Sequence, residues 1–242
     1  MESYEKLSNY YDEIILKDID YNNIKEFILR KTENKNYYLD LGCGTANLSS
    51  LIGEYFKETY LIDISENMLA LASNKFYDKN IKFKAFNISM TDINLLGEKF
   101  SLVSSTIDSL NYIQKAKEIN EVFTHVYNLL EDSGVFIFDL NSKYKLKNIL
   151  GNNTFIYDED DIFYTWENFL DETTIDMYLN FFIKRDDTYK RFTEVHTEKI
   201  YETEFIRNTL KDVGFTEIEI YDNYKEKEIN NKSERITFVV RK

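Results

Sequence analysis

The 242-residue chain carries 43 acidic against 30 basic side chains, a formal net charge of -13, and such a surface repels nucleic acid, whose affinity comes largely from phosphate neutralisation. Hydrophobic residues make up 43% and aromatics 16%, enough for a sizeable core in one large or two small domains. The lone cysteine, Cys43, excludes an intrachain disulfide, and the absence of a signal-peptide pattern or a bilayer-length apolar run predicts a cytoplasmic protein with no membrane partner.

Residues 1–35 read as helical and polar, with apolar positions at Ile14, Ile15, Ile19, Ile24, Phe27 and Ile28. Tyr37–Leu41 reads as a first strand entering the glycine turn Gly42-Cys43-Gly44. In that turn Cys43 is either a small filler or a nucleophile. A helix follows through Leu48, Leu51, Ile52 and Phe56, then a second strand, Thr59–Ile62, ending at Asp63. Ser65 reads as an N-cap, with Met68, Leu69 and Leu71 on the buried face. Strands three and four are Ile81–Phe86 and Phe100–Ile107. A helix over Ala116–Leu130 carries Ile119, Val122, Phe123, Val126 and Leu129 at helical spacing, and His125 sits within it, exposed or packed. Gly134 turns the chain into strand five, Val135–Phe138. This alternation predicts a parallel, doubly wound sheet.

Between Phe155 and Ile200 the helical period disappears. Ile162–Trp166, Thr174–Lys184 and Tyr189–Tyr201 read as antiparallel strands, with Asp186-Asp187 as the turn between the last two. Alternation resumes with a helix capped by Thr203 and closed by Gly214. Glu217–Tyr221 and Ile236–Arg241 form a final strand pair.

A strand, a glycine turn, a helix and a second strand ending in Asp make a site for an adenosine-containing cofactor. A dinucleotide fingerprint needs a third small residue, and that position holds Asn47. Asp40, just before the turn, would repel a pyrophosphate and attract an α-ammonium. The site therefore suits a nucleoside joined to an amino acid.

Asp40-Leu41-Gly42-Cys43-Gly44-Thr45, followed by Ile62-Asp63-Ile64-Ser65-Glu66-Asn67-Met68-Leu69, resembles the class I S-adenosylmethionine-dependent methyltransferases. Residues 37–140 carry the resemblance best; Asp132–Asp139 is similar to the family's block before strand five, and Thr203–Phe215 to its last helix. The middle block resembles the lid of members acting on small molecules, including glycine and amino-sugar N-methyltransferases. The resemblance implies an α/β, Rossmann-like, doubly wound seven-stranded sheet with one antiparallel strand, plus a small antiparallel β lid inserted after strand five. Residues 1–143 and 202–242 would form the S-adenosylmethionine-binding domain, and 144–201 the lid. It implies methyl transfer to a small-molecule acceptor, nitrogen first and oxygen as the near alternative, by a monomer or homodimer, with S-adenosyl-L-homocysteine as product. RNA methylation and a nicotinamide-dependent oxidoreductase are the more distant readings.

Residue by residue, the resemblance has Asp40 engage the cofactor amino group, while Gly42 and Gly44 let the methionine part approach the backbone. Asp63 would hold the ribose hydroxyls, or be a helix N-terminal charge. Ile64 would pack on the adenine, Asn87 accept from the adenine amino group or form an Asx-turn, and Ile88 supply an apolar wall. Thr106 is a further cofactor candidate, and Asp108, Asn111 and Tyr112 line the substrate side unless this stretch is a cap with Asp108 exposed. Ser101 stands where relatives commonly have Asp. Tyr11-Asp12 resembles a Tyr-Asp near the start of many relatives, so Tyr11, and behind it Tyr4, contact ligand or simply pack.

Period two places Glu194, His196 and Glu198 on one strand face, which is either solvated or lines a polar pocket. His196 is a proton acceptor or a structural residue. Trp166 lines an aromatic box for a cationic amine or packs in the lid. Tyr11, His196 and Asp108 are the catalytic candidates; Asn111, Tyr112, Trp166, Glu194 and His196 are the acceptor-side ones. No metal-ligand spacing is present, so no metal is expected.

Overall fold

The computed structural model describes residues 10–12, 19–159 and 161–242. Asp20 caps helix α1 (Tyr21–Lys31) by accepting from Asn23 N–H, and Tyr21, Ile24, Phe27 and Ile28 form its buried stripe. The remaining helices are α2 (Ser49–Ile52), α3 (Glu66–Asp78), α4 (Ala116–Leu129) and α5 (Thr203–Val213).

Seven strands form the main sheet: β1 (Tyr37–Leu41), β2 (Glu58–Asp63), β3 (Phe83–Asn87), β4 (Phe100–Ser105), β5 (Leu130–Asn141), β10 (Glu217–Asp222) and β11 (Arg235–Arg241). Their order is β10-β11-β5-β4-β1-β2-β3. Strand β11 runs antiparallel to both of its neighbours. This is the seven-stranded, Rossmann-like sheet expected from the resemblance. The direction of chain progression reverses between β1 and β4, so their carboxyl ends open a crevice where ligands of doubly wound sheets bind. One face of the sheet is closed by α4 and α5, where Phe123, Phe136, Phe138 and Phe238 are fully buried. The other is closed by α1 and α2 against Tyr38, Leu102, Ile137 and Val239.

A second, four-stranded antiparallel sheet holds β6 (Thr154–Glu159), β7 (Ile162–Leu170), β8 (Thr174–Arg185) and β9 (Thr188–Lys199). Strand β6 adds to the three strands expected here. Asp186, at φ +52°, makes the predicted β8–β9 turn. Register places Trp166, Leu179 and Glu194 in one cross-strand row, Asn168, Met177 and His196 in the next, and Ile175 beside Glu198. These side chains share the sheet's inner face because pleating alternates them with outward residues. A tyrosine and phenylalanine cluster, Tyr164, Phe181 and Phe192, fills one end of that face.

Several boundaries differ from expectation. The helix after the glycine turn stops at Ile52 and tightens into a single 3-10 turn, Gly53–Tyr55, instead of reaching Phe56. Gly53 lies so close to β2 that a Cβ would meet Thr59 Oγ1 at 2.8 Å. Gly134 lies inside β5 rather than before it. Phe100 pairs with Leu130 and Leu102 with Val135, so residues 131–134 bulge out of the ladder. Glu202, not Thr203, holds the N-cap position of α5, and it makes no side-chain cap bond. Ser65 is the cap of α3 as expected, but Ala72 and Phe76 take the buried positions beyond Leu69, leaving Leu71 half-buried. Among the described residues, no helix is long and apolar enough to cross a membrane.

Candidate active site

The turn leaving β1 is left-handed at Gly42 (φ +69°) and Gly44 (φ +53°). Gly42 N–H and Cys43 N–H both donate to the Ile62 carbonyl, at 2.8 and 3.0 Å, which ties the turn to the end of β2. A Cβ on Gly42 would meet Met90 Cε at 2.5 Å. A Cβ on Gly44 would meet nothing within 4 Å. Gly42 is therefore required by packing, whereas the backbone at Gly44 faces open space. That space is a cleft of about 360 Å³ including its solvent-open mouth, with Tyr11, Asp40, Gly44, Thr106 and Ile107 among its walls.

Asp40 sits at the end of a buried relay. The Tyr38 hydroxyl lies 2.7 Å from Ser104 Oγ, which donates to Asp40 Oδ1 at 2.8 Å. Burial pushes the Asp40 carboxyl up to about 6, against the Ser104 hydrogen bond. Asp63 accepts Gly44 N–H on one oxygen at 2.9 Å and Ser65 N–H on the other at 2.8 Å. Burial raises it too, opposed by those backbone bonds. Each carboxylate oxygen keeps a second lone pair, so Asp63 both holds the turn and can accept from a diol. Its sheet partner is Asn87, whose Nδ2 donates to the Asp63 carbonyl at 3.1 Å. Ile64 beside them is 65% exposed, while Ile88 packs against the core.

These groups match the chemistry of S-adenosylmethionine along its length. A carboxylate (Asp40) suits the ammonium, open glycine backbone the methionine chain, a second carboxylate (Asp63) the ribose diol, and Asn87 with Ile64 the base. Burial, and then the charges of Asp63 and Asp40, push the Cys43 thiol well above its ordinary range, which disfavours the thiolate and favours the reading of Cys43 as a small filler of the turn.

The amino-terminal segment is latched to this turn. Asp12 accepts from Thr45 Oγ1 at 2.6 Å, Asn47 Nδ2 at 2.8 Å and Lys75 Nζ at 2.5 Å. Burial raises its carboxyl, but the Lys75 and Thr45 bonds outweigh that and hold it below the ordinary value. This explains Asn47 at the fingerprint position: its side chain bridges Asp12 and Lys75. Tyr11 lines the cleft. Tyr10 stacks on Phe192 of β9 and accepts from Arg185 at 2.8 Å, so three consecutive residues link the second sheet to the cofactor turn and α3. Tyr4 lies outside the described residues.

The turn after β4 departs most from regular backbone. Ile107 and Asp108 both have positive φ, +57° and +54°, which ends β4 two residues earlier than expected. Their N–H groups donate to the two oxygens of Asp139, at 2.7 and 2.8 Å. Asp139 is fully buried and also accepts from Tyr224 and Arg235. Asp139, Tyr224 and Arg235 are not among the site residues expected from the sequence. The available signal is a carboxylate inside the apolar run Phe136-Ile137-Phe138-Asp139-Leu140. Asp108 is ion-paired with Arg235 at 2.8 Å and is neither an exposed cap nor an open base. Asn111 has no exposed surface, and its amide joins the Asn141 N–H to the Lys199 carbonyl. It therefore splices β5 to β9 rather than facing an acceptor.

Glu194, His196 and Glu198 are 5%, 5% and 3% exposed, so their shared face is buried rather than solvated. Tyr112 reaches His196 Nδ1 at 3.3 Å and meets its ring edge-on. Burial lowers His196 to about 4, only partly offset by the charge of Asp108, so the imidazole is neutral at neutral pH. Glu198 accepts from Asn141 at 2.9 Å. Burial first, and the Asp108 charge second, hold it far above the ordinary carboxylate range. Trp166 packs beside Phe155, and its Nε1 donates to Asn168 at 2.5 Å. Among the described residues no group of three or more side chains could hold a metal.

A family profile described as a methyltransferase domain matches residues 39–134. A putative methyltransferase of Geobacillus sp. is 30% identical over 99% of this chain and 100% of its own length. The crystal structure of an S-adenosylmethionine-dependent methyltransferase from Clostridium acetobutylicum superposes with a TM-score of 0.91 at 38% identity, covering 98% of each chain. A dTDP-3-amino-3,4,6-trideoxy-alpha-D-glucopyranose N,N-dimethyltransferase of Streptomyces venezuelae is 26% identical over 48% of this chain and 47% of its own.

Proposed function

This chain belongs to the S-adenosylmethionine-dependent methyltransferases, and from that premise we propose that it methylates a nitrogen of a small, cationic amine. The observation that carries this reading is the buried acidic face of β9, where Glu194 and Glu198 flank His196 opposite the turn at Tyr112. The Glu194 carboxylate attracts an ammonium group and repels a phosphate, which also disfavours RNA, while Glu198, kept protonated near pH 7 by its burial, offers hydrogen bonds rather than charge. The relative that methylates an amino sugar is consistent with this choice. Family membership removes the nicotinamide-dependent alternative.

The cofactor, when bound, supplies a methyl group already activated by a sulfonium centre. The protein's task is alignment, which can contribute roughly 7–11 kcal/mol. Asp40 would hold the ammonium end and Asp63 the ribose, with Ile64, Asn87 and Ile88 around the base and Thr106 on the cleft wall. Tyr11, fixed through Asp12, closes the mouth. On the acceptor side, Tyr112, Trp166, Glu194 and His196 orient the amine. His196, neutral near pH 7, is placed to accept a hydrogen bond from the amine, whereas burial keeps Glu198 protonated at that pH and removes it as a proton acceptor. Asp108, held by Arg235, contributes charge rather than proton transfer.

Incubation with methyl-tritiated S-adenosylmethionine and a panel of primary amines and hydroxy compounds tests the acceptor. Label is expected on amines. Label confined to hydroxyl oxygens would move the assignment to O-methylation.

Asp40 makes cofactor binding pH-dependent. Its carboxyl sits at about 6, and an ammonium partner favours the ionised form, so binding releases a proton. The sign is then set: affinity rises as pH rises through 6 and falls below it. The Kd for S-adenosylmethionine is expected to be about tenfold higher at pH 5 than at pH 7, while adenosine, which lacks the ammonium and meets only the raised Asp63 carboxyl, changes less. Parallel curves for the two ligands by calorimetry would remove Asp40 from the ammonium site.

A further inference from the structure

We propose that Asp139 is a positioning residue: its carboxylate clamps the Ile107–Asp108 turn in the conformation that sets Thr106 and Ile107 into the wall of the cleft. The inference rests on the S-adenosylmethionine reading above and deepens it.

Positive φ is costly for any L-residue and most of all for a β-branched one such as Ile107. Two such residues in succession persist only where the surroundings over-determine them. If the segment served only to connect β4 to the 3-10 turn at Ser109–Tyr112, glycine would relieve the strain. Instead the strain is kept, and the over-determination is visible. Asp139 Oδ2 accepts Ile107 N–H at 2.7 Å and Oδ1 accepts Asp108 N–H at 2.8 Å. Neither N–H has a ladder partner, because β4 has already ended at Ser105. The same two oxygens receive the Tyr224 hydroxyl and one arm of Arg235, whose other arm holds Asp108 Oδ1 at 2.8 Å.

Asp139 belongs to a central strand, where it pairs with Thr237 of β11. It is fully buried and does not line the cleft; Thr106, Ile107 and Ser109 do. Its influence therefore passes through the turn. Only a carboxylate offers two acceptor oxygens in this arrangement. An asparagine would aim an NH2 group at one of the two N–H donors, leaving donor against donor.

The turn forms the cleft wall near Asp40 and Gly42, away from the Asp63 and Asn87 end. This placement separates a positioning role from a general structural one. Calorimetric titration of wild type, Asp139→Asn and Tyr224→Phe with S-adenosylmethionine and with adenosine, alongside thermal melts, supplies the test. Asp139→Asn is expected to weaken S-adenosylmethionine about tenfold or more while adenosine changes by less than about threefold, the loss of a charge-assisted bond to a strained segment. Tyr224→Phe leaves the carboxylate in place and should show the same selective loss, smaller in size. If Asp139→Asn proves too unstable to titrate, Tyr224→Phe alone carries the test. Unchanged affinity, or equal loss of both ligands, overturns the inference while wild-type binding keeps the cofactor reading intact. A wild type that binds neither ligand overturns both.

Discussion

Asp63→Ala is expected to raise the Kd for S-adenosylmethionine by about a hundredfold or more, removing measurable binding at ordinary concentrations. Two ribose hydroxyls donating to an ionised carboxylate are each worth roughly 1.5–3 kcal/mol, and each 1.4 kcal/mol is tenfold in affinity. The variant also loses the acceptor of Gly44 N–H and Ser65 N–H. The glycine turn then loosens at the point where the cofactor backbone must approach. Asp63→Asn keeps one carbonyl oxygen and should fall between the two. Calorimetric titration with the cofactor and with S-adenosylhomocysteine reads the effect. Wild-type affinity in Asp63→Ala would show that the acidic end of β2 is only a helix-terminal charge.

Arg235→Met should destabilise the fold by roughly 3–5 kcal/mol, the cost of leaving buried charge without its partner. The guanidinium is 14% exposed and pairs with Asp139, which has no exposure, and with Asp108. Burial alone would lower its proton affinity, but the two carboxylates raise it further, so it stays charged. At about 2–4 °C per kcal/mol for a chain of this size, the melting temperature should fall by roughly 6–20 °C. Arg235→Lys keeps a charge without the two-armed fork and should recover only part of the loss. The contrast is Lys143 with Glu202, whose side chains are 51% and 61% exposed. Breaking that pair should change stability by under about 1 kcal/mol. Urea unfolding of Arg235→Met and Lys143→Ala decides the matter, and equal small losses would mean the buried network is not holding the turn.

The features legible in the chain are local ones. Gly42 and Gly44 stand in a turn that needs left-handed backbone, Ser65 precedes a helix, and Asp63 closes a short apolar strand. Each is a consequence of a few consecutive residues. The features that differ from expectation depend on what packs nearby. Gly134 reads as a turn because glycine usually is one; the bulge that holds it exists only because β4 lies alongside. Thr203 reads as a cap by residue type, yet the cap position falls one residue earlier. Strand β6 opens with the strand formers Thr154, Phe155, Ile156 and Tyr157, but its bounds are set by pairing with β7.

Near neighbours along the chain are enough to specify a doubly wound alternation of strands and helices, the cofactor turn and the common face of Glu194, His196 and Glu198, because turn chemistry and side-chain period act over short spans, whereas the seventh, antiparallel place in the sheet is implied by the family resemblance. Which way that face points is a matter of packing: contact with the turn at Tyr112 buries it. Folding likewise joins Asp40 to Ser104, Asp12 to Lys75 and Asp139 to Arg235. Those partners are 64, 63 and 96 positions apart, and no periodicity links residues at such separations. The meeting of β1, β4 and β5 at their carboxyl ends brings the first and last pairs together, and docking of the amino-terminal segment on α3 makes the second.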